Sequence, residues 1–117
     1  MNHKSHLKHE YFMAVKNGKK TVDVRLCDAE CQSYQVDDTI KFIDIDTEES
    51  LIVRIRSLSY YFNIDDLVND YPVDLLVFSG KSKEEVKAIY DAIYSKEEQE
   101  TYHVMGIGFE ASHVGKD

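Results

Sequence analysis

Gly18-Lys19-Lys20-Thr21-Val22-Asp23-Val24-Arg25 is the stretch on which the reading of this chain turns. A glycine just past a helix takes positive φ without a Cβ clash, so Gly18 is expected to close the helical run Glu10-Tyr11-Phe12-Met13-Ala14-Val15-Lys16-Asn17. Beyond it the pattern changes to period two. Val22, Val24 and Leu26 fall on one face, and Thr21, Asp23 and Arg25 on the other. Such a strand packs one side and presents charge on the other, with Lys20 at its mouth. The helix upstream spans about Lys8 to Asn17 with Phe12 and Val15 inward, and it is short enough to depend on packing.

Further strands are expected over Thr39 to Asp44, Ser50 to Ser57 and Tyr102 to Glu110. Ile45-Asp46-Thr47-Glu48-Glu49 is polar and suits a hairpin turn between the first two of these. Leu51, Val53 and Ile55 alternate with Ile52, Arg54 and Arg56, which predicts one buried face. In the last strand Gly106 and Gly108 point to a bulge or to close approach of another group. A helical insert lies between. Asn63 suits the N-cap of a short helix over Ile64 to Val68, and Ser82-Lys83-Glu84-Glu85 is a capping box opening a helix whose apolar stripe is Val86, Ile89, Tyr90 and Ile93. Short strands around such an insert predict an α+β fold, a small, strongly curved mixed β-barrel with peripheral helices.

The chain has 117 residues, 43% of them hydrophobic and 11% aromatic, which suits a single domain with its own core. Residues 1–7 read as a flexible terminus and 112–117 as a flexible tail. No segment approaches the roughly 20 apolar residues of a membrane helix, and no apolar run follows the first charged residues, so no membrane partner and a cytoplasmic location are expected. The net charge of −8 argues against nucleic-acid binding by bulk electrostatics while leaving room for a local basic pocket. Lys16, Lys19, Lys20 and Arg25 cluster, as do Arg54 and Arg56, whereas Asp44 to Glu49 and Glu97-Glu98-Gln99-Glu100 read as acidic solvated turns. Cys27 and Cys31 lack a second pair for a zinc site and read as plain thiols. His3, His6 and His9 would share a face if helical, which can bind a transition metal, but the plainer reading is a frayed terminus. No metal and no cofactor are expected, and the sequence leaves the oligomeric state open.

Gly18, Lys20, Asp23 and Arg25 resemble the Gly-x-Lys-x-x-Glu-x-Arg fingerprint of the ASCH family, with Asp for Glu. The helix before them is similar to the family's opening helix, and Val36-Asp37-Asp38-Thr39-Ile40-Lys41-Phe42 is similar to its Val-Gly-Asp-x-Ile-x-Phe strand. Tyr102-His103-Val104-Met105-Gly106-Ile107-Gly108-Phe109 extends the likeness to most of the chain. The resemblance implies a PUA-like barrel whose fingerprint lines a cleft for RNA or a nucleotide-like small molecule. Read physically, Lys20 and Arg25 offer charge-assisted donors and Asp23 an acceptor for a base amine; the alternative is an internal ion pair of Asp23 with Arg25 or Lys20. Tyr60, Tyr61, Phe62 and Tyr102 are candidates to stack on a base, with at least one of Tyr60 and Tyr61 exposed, and Tyr61 is taken as the ligand-binding aromatic.

Some small ASCH proteins resembling this one are amidohydrolases acting on N4-acetylcytidine through a lysine, a threonine three residues later and a downstream glutamate. Lys20 matches the lysine, Asp23 replaces the threonine, and Ser79 or Gly80 falls near the glutamate's place. A carboxylate cannot stand in for a hydroxyl nucleophile, so a catalytic Lys20 and Asp23 would activate water instead, and the lysine would need its pKa lowered by burial or by a neighbouring Lys19 or Arg25.

Overall fold

The computed structural model describes residues 2–18, 20–29, 31–71 and 81–111. Strands β1 (Asn2–Leu7), β2 (Val22–Leu26), β3 (Thr39–Asp44), β4 (Ser50–Tyr61) and β5 (Val104–Ala111) form one mixed sheet in the order β1-β3-β4-β5-β2. Helices α1 (His9–Lys16), α2 (Ile64–Asp70), α3 (Lys83–Ile93) and α4 (Lys96–Tyr102) flank it. The architecture is α+β, a curled half-barrel with peripheral helices, as the pattern of strands and helices predicts.

The period-two alternation decides what lies inside. Ile40 and Phe42 of β3, Val53 and Ile55 of β4, and Met105, Ile107 and Phe109 of β5 bury together with Phe12 and Val15 of α1. Val22 and Val24 of β2 and Val104 of β5 face a second core under α2 and α3, completed by Ile64, Leu67, Val86 and Tyr90. Strand β5 is therefore covered on both faces, which explains its glycines. A Cβ on Gly106 would lie 2.8 Å from the Tyr71 ring, and one on Gly108 would collide with the Ser57 hydroxyl, beside the register shift between Ile55 and Ser57. Gly18 follows α1 with φ 75°, and Asp37, where the family pattern has glycine, takes φ 77°.

Both helix starts expected from the sequence form. Asn63 accepts from the Asp66 amide at 2.9 Å, and Ser82 and Glu85 exchange bonds of 3.1 and 3.0 Å. A second capping box opens α4. Ser95 Oγ accepts from the Glu98 amide at 3.1 Å, and the Glu98 carboxylate accepts from the Ser95 amide at 2.9 Å. Glu97 to Glu100 is thus helix rather than a solvated turn, and Tyr102 ends that helix instead of opening the last strand.

The N-terminus also corrects the sequence reading. Asn2–Leu7, expected to be flexible, pairs parallel with β3 from Asn2 opposite Thr39 to Leu7 opposite Asp44. Its buried side chains are Ser5 and Leu7, and one apolar residue is too few to signal a strand; the β3 ladder holds it. The three histidines consequently do not share a helix face. His3 Nε2 lies 2.8 Å from Asp38, His9 Nδ1 lies 2.6 Å from Asp44, and His6 points to another surface. Residues 112–117, expected as a tail, lie outside the described residues.

Candidate functional site

Strands β1 and β2 are the two edges of the sheet, and among the described residues no ladder joins them. The curl of the sheet brings them to face one another, and a side chain crosses the seam. Arg25 of β2 donates through Nη2 to Ser5 Oγ of β1 and through Nε to Asp23 Oδ2 at 2.8 Å. Two residues apart on one strand face, Asp23 and Arg25 are well placed to pair. Their ion pair is the internal one weighed from the sequence, with the Asp23 and Arg25 side chains 10% and 27% exposed. The carboxylate holds the guanidinium far above its ordinary pKa against the cost of burial.

Lys20 enters beside this pair. Its amide donates to Ala14 O at 3.0 Å across the Gly18 turn, which aims the side chain inward. It is 3% exposed, with Nζ 3.3 Å from Tyr90 Oη and 5.8 Å from the Tyr11 ring centroid. Burial lowers the ammonium pKa to about 8, with Asp23 opposing the drop and Arg25 adding to it. Burial raises the Tyr90 phenol, with further help from Asp23, so it stays neutral. Tyr94 Oη donates to Val24 O at 2.9 Å and fixes α3 against β2.

Over the seam lies a cleft of about 210 Å³, walled by Lys20, Asp23 and Arg25, by Tyr11 of α1, and by Tyr90 of α3 and Tyr94 at its C-cap, with His6 and Lys8 at the β1 side. It offers an ammonium, a guanidinium edge and a carboxylate within a frame of phenols, a set suited to the polar edge and the flat face of a nucleobase.

The structure thus brings Lys20, Asp23 and Arg25 together and leaves Tyr61 elsewhere. Tyr61 donates its hydroxyl to Asp70, stacks edge-on against Tyr71 with centroids 6.0 Å apart, and lines a separate aromatic surface with Cys27, Tyr60, Phe62, Tyr102 and His103. Tyr60 is exposed there, as expected for one of that pair. The Cys27 thiol is half-buried, and burial raises its pKa. Lys19, Ser79 and Gly80 lie outside the described residues. The cleft aromatics missed from the sequence are Tyr11, Tyr90 and Tyr94. Tyr90 is legible only as part of a core stripe, and Tyr94, four residues on, caps the same helix and brings the second phenol.

The sequence profile of the ASCH domain matches residues 6–112. The chain belongs to the ASCH domain family. Solved structures share its fold. A hypothetical protein, PH0355, is similar at 25% identity with a TM-score of 0.85 over 96% of this chain and 100% of that one. Protein PF0455 from Pyrococcus furiosus gives 24% identity and a TM-score of 0.76 over 95% and 97%. An ASCH domain from Lactobacillus crispatus gives 15% and 0.69 over 94% and 79%. No curated protein matches the chain. Among the described residues of this ASCH domain, no helix is long and apolar enough to cross a membrane.

Proposed function

We propose that this ASCH domain binds cytoplasmic RNA or a nucleotide-like small molecule in the seam cleft, with Lys20, Asp23 and Arg25 meeting the polar edge of one base. What supports this reading above all is the convergence of those three side chains on one cleft with three tyrosines. The cleft, at about 210 Å³, is smaller than the roughly 300–1,000 Å³ of drug-sized sites and matches a single base or nucleoside. The family, in which RNA binding is the general expectation, supports the ligand class. Binding of single-stranded RNA and of free nucleosides, measured by titration calorimetry, is expected to weaken at least tenfold in the Lys20→Ala, Arg25→Ala variant. Equal affinities at low and moderate salt, with the fold intact by circular dichroism, would sink the reading.

A second reading, hydrolysis of a modified nucleoside such as N4-acetylcytidine, is favoured by one observation. An ammonium with a pKa of about 8 is close to what a general base needs. Lys20 would take a proton from water as that water attacks the acetyl carbon and pass it to the departing N4 as the C–N bond breaks, releasing acetate and cytidine, with Asp23 stabilising the transient ammonium. Incubating the same wild-type and Lys20→Ala proteins with N4-acetylcytidine separates the two readings. Turnover that rises through pH 8 and is lost with Lys20 establishes the enzyme; no turnover above the variant removes it.

A further inference from the structure

Around the β1 edge from the cleft, the outer face of the sheet carries a second feature. Alternation along β1, β3 and β4 turns Asn2 and Lys4, Thr39 and Lys41, and Ile52 and Arg54 outward, where they line a groove of about 400 Å³. Lys4 stands directly opposite Lys41, Lys41 opposite Ile52, and Thr39 opposite Arg54, so three cations occupy two adjoining rungs. Like charges set side by side across a ladder repel. Among the described residues none of the three is in an ion pair: Arg54 faces Glu110 across the β4-β5 ladder, but that carboxylate is held by Arg56, and Arg54 donates to the Asp37 carbonyl oxygen at 2.9 Å.

That absence is selective. The chain holds 22 acids against 14 lysines and arginines, and neighbouring cations find them. Arg56, next outward on β4, reaches both Asp37 and Glu110, Lys16 reaches Glu49, and Lys87 reaches Asp65. A mutually repelling cation cluster with a half-buried isoleucine as its floor, in a chain with acid to spare, is the complement of a polyanion that also carries apolar or flat groups.

The groove and the cleft draw on successive outward residues of β1. His6 is the next outward residue of β1 after Lys4, roughly 7 Å farther along at about 3.3 Å per residue, and it lines the cleft together with Lys8. Lys4, His6 and Lys8 thus mark a path along β1 to the N-cap of α1, from the groove to the cleft.

We infer that the β1-β3-β4 face is a phosphate-binding track for single-stranded RNA, with Lys4, Lys41 and Arg54 neutralising backbone phosphates of a strand whose neighbouring nucleotide reaches the seam cleft. This extends the cleft reading but stands on residues outside it. The track fixes the strand without reading sequence, because phosphates carry none.

Each phosphate contact on single strands contributes about 0.7 to the slope of log affinity against log salt. Removing three contacts should therefore lower that slope by about 2. The experiment measures binding of a single-stranded oligouridylate over a salt series by wild type and by the Lys4→Gln, Lys41→Gln, Arg54→Gln variant, with cytidine titrated in parallel and circular dichroism as the fold control. The expected result is a slope lower by about 2 and affinity reduced at least tenfold at low salt, with cytidine binding unchanged. An unchanged slope, or no oligouridylate binding by wild type, overturns the track. The Lys20→Ala, Arg25→Ala variant separates the two sites: if it leaves cytidine binding unaltered while the triple variant still loses slope, the cleft reading fails and the track stands.

Discussion

Lys20 is the residue whose burial runs most against its chemistry, and its consequences can be measured without any ligand. The ammonium has a pKa of about 8 in the folded chain against 10.5 in the unfolded one. Below pH 8 both states hold the proton, and the folded state bears the full cost of the buried charge. Between pH 8 and 10.5 the folded state releases the proton while the unfolded state keeps it, so stability rises with pH; above that the cost is gone. At 1.36 kcal/mol per pKa unit the change is roughly 3 kcal/mol. Lys20→Met removes the ammonium, and other groups, the tyrosines included, cancel when the two proteins are compared. In urea unfolding the stability of wild type relative to Lys20→Met is expected to climb by roughly 3 kcal/mol across that window, and a flat difference would refute the buried ammonium. Part of this was legible. Lys20 was visible as the mouth of a strand and Asp23 as the departure from the family acid, but burial of the lysine depends on Tyr11 and Tyr90, which come from α1 and α3 and share no local pattern with it.

Helices α2, α3 and α4 are short, and one buried amide joins all three. Gln99 of α4 is 6% exposed. Its Oε1 accepts from the Ile64 amide at the start of α2 at 2.9 Å, and its Nε2 donates to Asp91 of α3 at 3.0 Å and to Tyr94 O at 2.9 Å. Gln99→Met keeps the volume but strands the Ile64 donor and the Tyr94 acceptor, each at about 1–3 kcal/mol when buried. The variant is expected to lose roughly 2–4 kcal/mol by urea unfolding, against about 1 kcal/mol for Ser95→Ala, which removes only a cap. Equal losses would mean that Gln99 is no more than a surface residue of α4. Capping boxes are local, so both are legible in the chain, although the acid of Glu97 to Glu100 reads as a solvated turn and masks the one at Ser95. Strand β1 was hidden for a different reason. Its partner lies more than thirty residues away, and its alternation of Ser5 and Leu7 against Asn2, Lys4 and His6 is barely hydrophobic.

Along one face of the sheet, charge is divided between the end that α2, α3 and α4 cover, over β2 and β5, and the open β1-β3-β4 end. Helices α2, α3 and α4 begin with acid, Asp65 and Asp66, Glu84 and Glu85, Glu97 and Glu98, where helix dipoles favour it, while Lys4, Lys41 and Arg54 of the β1-β3-β4 face make no ion pair among the described residues. A net charge summed over the chain hides that division, and only strand register shows that Lys4, Lys41 and Arg54 meet. The same holds for the seam. That the sheet would curl was readable from its short strands and glycines, but not that its two edges would be tied by Arg25 and Ser5, because the order β1-β3-β4-β5-β2 places first and second strands at opposite ends. A side-chain clasp on a seam that no ladder closes among the described residues should govern local opening more than global stability. Ser5→Ala removes the acceptor on β1 and leaves the Asp23 to Arg25 pair in place, so amide exchange in β1 and β2 is expected to quicken about fivefold to tenfold, the equivalent of a hydrogen bond worth about 1 kcal/mol, while the central amides of β4 and β5 keep their protection. Arg25→Met should add to this by leaving the Asp23 carboxylate without its partner, and it should again act first on the two edge strands. Uniform acceleration across all five strands in Ser5→Ala would show that the seam does not open on its own.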